Sequence, residues 1–184
     1  MKLTEKEIVR ESIFQGHLID LEKRTILLPN GETAFREVVR HPPAAAAVVV
    51  NDKKELLLVK QWREPIKKLT LEIPAGMIDE TDSTPQTAMQ RELNEEAGLT
   101  ADYWEQIAEL NTSPGFTDEK IYLFYCDTLS KIEHKAALDK DEFLNSSWYN
   151  LATLKNLIAQ HEITDAKTLY AISVWQNMLL TQEK

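Results

Sequence analysis

Ala44 to Val50 is an unbroken apolar run, and no other stretch limits the fold of this chain as tightly. A run with no polar face reads as a fully buried strand. The punctuation around it organises the rest. Before it, short apolar runs between residues 7 and 41 read as strands, with turns at Gln15-Gly16 and Pro29-Asn30-Gly31. His41-Pro42-Pro43 forms a stiff break and a boundary, so residues 1–42 are expected to be an antiparallel β region and 43–184 the main domain. After it, Asn51-Asp52 turns the chain, and Glu55 to Gln61 and Leu69 to Ile73 read as further strands. Thr84-Pro85 opens a helix, with Thr84 as N-cap, and Gly98 closes it. Ala88, Leu93 and Ala97 are expected on its inner face. Trp104 to Leu110, Ile121 to Cys126 and Glu142 to Tyr149 read as strands, separated by loops at 111–120 and 131–141. Leu151 to Ile158 and the residues after Asp165 keep a helical period. Strands on both sides of a central helix, with helices at the end, predict a mixed α/β (α+β) layered fold.

Charge narrows the functions such a fold could serve. The 184 residues carry a net charge of −9, the reverse of a nucleic-acid-binding footprint. The acids are also clustered. Glu72, Asp79, Glu80, Asp82, Glu92, Glu95 and Glu96 lie in one block with Arg91 as its only cation. No apolar run is long enough to span a bilayer, and the charged start, Met1 to Glu7, is not a signal peptide. The lone cysteine, Cys126, excludes a disulfide framework and fits a cytoplasmic setting.

Within the acidic block, Arg91-Glu92-Leu93-Asn94-Glu95-Glu96 carries the chemistry. Positions i, i+3 and i+4 share a helix face, so Glu92, Glu95 and Glu96 converge. Three like charges destabilise a helix unless something offsets them, and oxygen donors on one face suit Mg²⁺ or Mn²⁺. Gly76, Arg91, Glu92, Leu93, Glu95, Glu96, Gly98 and Leu99 match, in order, the Nudix box G-x(5)-E-x(7)-R-E-U-x-E-E-x-G-U. The upstream Glu of that pattern falls on Asp82, and the stretch from Gly76 to Arg91 is one residue longer. The extra residue lies near Ser83-Thr84, where a loop tolerates it.

The chain therefore resembles the Nudix hydrolases. Arg36-Glu37-Val38-Val39, His41-Pro42, Gln61-Trp62-Arg63, Leu71 to Gly76 and Ser113 to Glu119 extend the resemblance to the ADP-ribose pyrophosphatase subfamily. That resemblance implies a Nudix-type α/β/α sandwich with a mixed sheet. It implies Mg²⁺-dependent hydrolysis of ADP-ribose to AMP and ribose 5-phosphate, with Mn²⁺ as a substitute. ADP-glucose or another nucleotide sugar is the alternative substrate. A non-catalytic nucleotide-binding regulator on the same fold is the alternative class.

The implied site follows residue by residue. Glu92, Glu95, Glu96 and the Ala75 carbonyl would hold the metal, and Arg91 would hold the loop and carboxylates in place. The base candidates are Asp139, Asp141 and Glu142; Glu142 is favoured for reach, with Asp141 next. Arg63 would contact the diphosphate. Arg36, Phe35 and the loop of Ser113, Pro114, Gly115 and Glu119 would serve the rest of the nucleotide, Pro114 marking the ADP-sugar class. Phe35 alone reads more readily as packing, and the four tryptophans as core or interface. The 131–140 stretch reads as a flexible loop. The resemblance also implies a homodimer that exchanges its N-terminal region, with the adenosine end bound between that region and the catalytic domain.

Overall fold

Turn residues cut the first forty positions into β1 (Lys6–Gln15), β2 (Asp20–Leu27) and β3 (Thr33–Arg40). In the computed structural model these pair antiparallel in the order β1-β2-β3. The structure describes residues 3–138, 140 and 142–182. Gly31, at φ +88°, takes the left-handed conformation that the β2–β3 turn needs. The chain divides into two units: 1–43 with 111–120, and 44–110 with 121–184. The loop 111–120, expected with the main domain, is thus grouped with the N-terminal strands. The Val39 amide donates to the Phe116 carbonyl at 2.7 Å, and Asp118 pairs with Arg40 at 2.6 Å. Ile26 is the only fully buried hydrophobic residue described in this unit.

The second unit is built on β4 (Ala44–Val49), the apolar run. It pairs antiparallel with β7 (Ala75–Met77) and parallel with β9 (Lys120–Lys131), whose other neighbour is β8 (Leu99–Asn111). A second sheet has the order β10-β5-β6, from β5 (Leu56–Arg63), β6 (Lys68–Glu72) and β10 (Leu144–Tyr149). The helices are α1 (Pro85–Ala97), α2 (Leu151–Ala159) and α3 (Ala166–Gln182).

Side chains alternate across a strand, so β4 feeds two cores. Ala44, Ala46, Val48 and Val50 pack with Leu154, Ile172 and Trp175 of α2 and α3. Ala45, Ala47 and Val49 pack with Ala88, Met89 and Leu93 of α1. The mixed sheet lies between helices on both faces, as expected. No described helix is long and apolar enough to cross a membrane.

Two differences from the sequence reading bear on the site. The inner face of α1 adds Met89 and the buried Glu92 and Glu96 to the expected Ala88, Leu93 and Ala97, the last half-buried against the same core. The segment 131–138 is also docked. Lys135 Nζ donates to the Glu96 carbonyl at 2.9 Å, the Ile132 amide to the Gly98 carbonyl at 3.0 Å, and the Ala136 amide to Asn94 Oδ1 at 3.2 Å. A cation at a helix C-terminus complements its unpaired carbonyls.

Candidate active site

Local rules set the register of α1. Thr84 Oγ1 accepts from the Thr87 amide, and Thr87 Oγ1 accepts from the Thr84 amide, closing a capping box with Pro85 in the first turn. Gly98, at φ +66°, ends the helix in the left-handed conformation. Between these caps the i, i+3, i+4 spacing brings Glu92, Glu95 and Glu96 to one face. Glu92 and Glu96 are 7% and 3% exposed.

Arg91 offsets much of the repulsion. Its Nη1 donates to Glu92 Oε1 at 2.7 Å and Glu95 Oε2 at 3.0 Å. Its Nη2 donates to the Met77 carbonyl at 3.1 Å and Asp82 Oδ2 at 3.0 Å. Asp82, at the upstream acidic position, therefore ties the loop before α1 to Arg91, whose hydrogen bonds hold its carboxyl below the usual range.

Gly76 faces this cluster. A Cβ there would lie 2.0 Å from Glu92 Cδ and 2.1 Å from Oε1, so only glycine lets that carboxylate lie against β7. Gly76→Ala is expected to preserve the fold, because the carboxylate can rotate away. Displacing it by about 1 Å should lower activity about 100-fold at fixed divalent cation. Circular dichroism and a cation titration of activity check this.

The buried carboxylates resist ionisation. Burial, reinforced by Glu95 and Glu142, raises Glu92 to about 7 despite Arg91. Burial, then Glu92 and Glu142, raise Glu96 well above the usual range, with the Ala75 amide and Arg63 opposing. Glu96 Oε2 is buried and has no hydrogen-bond partner among the described residues. Between pH 4.5 and about 7 the folded protein holds a Glu92 proton that the unfolded chain has lost, so stability falls as pH rises through that window. The rise from 4.5 to about 7 corresponds to about 3 kcal/mol. In chelator, the thermal midpoint should rise by roughly 5–10 °C as pH is lowered from 8 to 5. A flat profile by scanning calorimetry would contradict this.

These features fit a hard divalent cation. The donors are carboxylate oxygens, one buried oxygen is unpartnered among the described residues, and Gly76 gives Glu92 its close approach. Among the described residues no three Asp, Glu, His or Cys side chains meet as a closed ligand ring; Arg91 bridges Glu92 and Glu95 instead. Glu142 is described, and its charge raises both Glu92 and Glu96. Asp139 and Asp141 lie outside the described residues.

Arg63 does not project alone, as a surface charge would. Its Nε and Nη2 donate to Glu72 at 2.8 and 2.7 Å, while its side chain stays 43% exposed. Lys167 Nζ and Thr70 Oγ1 also donate to Glu72, at 2.5 and 2.6 Å. Burial would push Glu72 up, but Arg63, Lys167 and Thr70 outweigh it and hold the carboxyl at about 2. Sequence reading missed Lys167 altogether; no local signal joins it to Glu72.

The other candidates belong to the first unit. Phe35 is 64% exposed, with Lys23 Nζ 4.7 Å from its ring centroid, so it is not a packing residue there. Arg36 pairs with Glu5 and donates to the Phe35 carbonyl at 2.9 Å. The Ser113 carbonyl accepts from the Phe116 and Thr117 amides, and Pro114 and Gly115 are exposed at that turn. Glu119 accepts from Thr112 Oγ1 at 2.5 Å. Of the tryptophans, Trp175 is core, Trp104 and Trp148 pack against the core, and Trp62 is 52% exposed. Cys126 is buried, and burial pushes its thiol pKa up.

Comparison with known proteins adds relatives to this geometry. Residues 40–172, more than half of the chain, match the NUDIX domain. The chain is 42% identical over 174 residues to the ADP-ribose pyrophosphatase of Bacillus subtilis, covering 95% of this chain and 94% of that one. It is 39% identical over 172 residues to the methanol dehydrogenase activator of Bacillus methanolicus, covering 94% and 92%. The ADP-ribose pyrophosphatase of Mycobacterium tuberculosis is 30% identical, with 86% and 77% covered. A crystal structure described as an ADP compounds hydrolase superposes with a TM-score of 0.87 at 21% identity, over 99% and 98% of the two chains. At that identity the likeness speaks for the fold.

Proposed function

The chain belongs to the NUDIX domain family, and on that premise we propose that it hydrolyses ADP-ribose to AMP and ribose 5-phosphate, using Mg²⁺ or Mn²⁺. The observation that carries this reading is the α1 cluster: Glu92 seated against Gly76 beside Glu96, whose buried oxygen has no partner among the described residues. A site that only bound nucleotide would gain nothing from burying anionic oxygens next to one another. Two relatives named ADP-ribose pyrophosphatase support the substrate.

In this reading Glu92, Glu95, Glu96 and the Ala75 carbonyl hold the cation. Bound there, it would neutralise phosphate oxygens and lower the pKa of the attacking water. Arg91 bridges Glu92 and Glu95 and fixes the loop through Asp82 and Met77. Arg63 meets the diphosphate with the exposed part of its guanidinium. Glu142, or Asp141 beside it, accepts the proton of the attacking water. Phe35, Arg36, Ser113, Pro114, Gly115 and Glu119 serve the adenosine end, and all six lie in the same unit.

A substrate panel of ADP-ribose, ADP-glucose and other nucleotide sugars, run with Mg²⁺, Mn²⁺ or chelator, tests this. AMP should form fastest from ADP-ribose and not at all in chelator. Turnover in chelator, or preference for ADP-glucose, would refute it. The relative named as a methanol dehydrogenase activator favours a second reading, a regulator of another enzyme; a form of that reading in which the chain only binds nucleotide is excluded by catalytic release of AMP.

We further propose a cytoplasmic homodimer that exchanges residues 1–42, with no nucleic-acid or membrane partner. Ile8, Ile13, Phe14 and Leu18 are each at least half exposed in the first unit, an amount of apolar side chain that a partner strand or copy could cover. Light scattering should give the mass of two chains; the mass of one would exclude the dimer.

A further inference from the structure

Lys167 breaks a local rule. It sits in the first turn of α3, where the helix dipole disfavours a cation. Its side chain is only 13% exposed. Lysine is rarely buried unless paired, and departures from local preference concentrate at functional sites. Its partners are Glu72 at 2.5 Å and Asp165 at 3.1 Å.

Glu72 is shared. Arg63 occupies both of its oxygens, Lys167 one of them, and Thr70 the other. Asp165 is fixed by the Thr168 amide and hydroxyl at 3.0 and 2.6 Å. Thr168 Oγ1 in turn accepts from the Ile73 amide at 2.9 Å, so α3 is stapled to the end of β6. The cluster holds two cations, Arg63 and Lys167, against two carboxylates, Glu72 and Asp165. Without Lys167 it becomes net negative beside Arg63, and Arg63 is left as the only cation on Glu72, with Thr70 as its neutral donor. A guanidinium neutralised in that way is a poor partner for a diphosphate. Arg63 also interacts electrostatically with Glu96, so the cluster borders the carboxylate helix.

Resting on the reading that Arg63 meets the diphosphate, we propose that Lys167 is a positioning residue: by sharing Glu72 it keeps the Arg63 guanidinium oriented and electrostatically available to substrate. It acts through Arg63 and touches no reacting atom.

The test compares Lys167→Met and Lys167→Arg in the full chain. Kinetics with ADP-ribose and Mg²⁺ are combined with ADP-ribose binding by calorimetry in chelator. Lys167→Met should raise KM and weaken binding by about 10-fold or more, with kcat within about 3-fold, and Lys167→Arg should recover most of the loss. A purely structural role predicts loss of active protein with unchanged KM in what remains, and that result overturns the proposal. So does a folded Lys167→Met with normal KM. If Lys167→Met does not fold, Lys167→Gln decides: it can keep a hydrogen bond to Glu72 but not the charge, so KM must still rise, whereas a normal KM refutes the idea. Absence of turnover by the wild type in the same assay would count against the proposed function. The calorimetric comparison would still judge Lys167.

Discussion

Glu96→Gln is expected to lower kcat by about 10³-fold, while the thermal midpoint in chelator holds or rises. The amide keeps the shape of a side chain that is 3% exposed, so packing around α1 is preserved. What disappears is a charge that the metal-free protein already disfavours, because burial, Glu92 and Glu142 all resist ionisation there. Substitution therefore removes a cost to folding. For catalysis the balance reverses, since a neutral donor cannot offset a divalent cation as a carboxylate does. The two readouts must move in opposite directions, which a general loss of structure cannot reproduce. Calorimetric titration with Mg²⁺ should show weakened binding. Wild-type turnover by the variant would remove Glu96 from the site.

Glu142→Gln should lower kcat by about 10²–10⁴-fold, the usual range for loss of a general base, and leave KM within about 3-fold. The motivation is electrostatic. The Glu142 charge is felt by both Glu92 and Glu96, so its carboxylate serves the same small region. The stretch before it is tied to the end of α1 through Lys135 and Ala136. Asp141→Asn is the companion measurement. A normal Glu142→Gln with a crippled Asp141→Asn would move the base one position back along the chain.

The parts of this architecture legible in sequence were those with a local cause. The apolar run at β4 needed no partner to be recognised, and Thr84, Pro85 and Gly98 mark the ends of α1 by the chemistry of their own backbone. The carboxylate face follows from helical spacing. By contrast, β7 is three residues long, follows Pro74 and contains Gly76, so nothing in its composition favours a strand; pairing with β4 makes it one. The first residues of β8, Leu99 to Tyr103, do alternate apolar and polar, but they follow the Gly98 helix cap directly, and with no turn between them the strand start was missed. Glu72 is a charged residue that composition would leave in water, yet it is buried, because Arg63 and Lys167 reach it from other elements. Phe35 was misread as packing because an apolar residue on a strand gives no sign of which face is covered. The role of Asp82 stayed open because its partner Arg91 lies on the other side of a loop with an extra residue.

The division of the chain has a consequence for how it is made. As synthesis proceeds, β1 to β3 are complete by residue 40, but the loop that docks on β3 does not exist until residue 120. The central strand β4 waits equally long, since its parallel neighbour begins opposite Ala44 at Ile121. At about 5–20 residues per second the ribosome needs roughly 4–15 s to cover that interval. Throughout it the emerging polypeptide carries an apolar strand with an unpaired edge, the kind of template on which nascent chains aggregate. Distant pairings of this sort also slow the search for the native state. The first unit therefore closes only when residues 111 to 120 leave the exit tunnel, and the second only later still, once β10, α2 and α3 have followed. Premature termination before the first of these points should yield a product with neither unit complete.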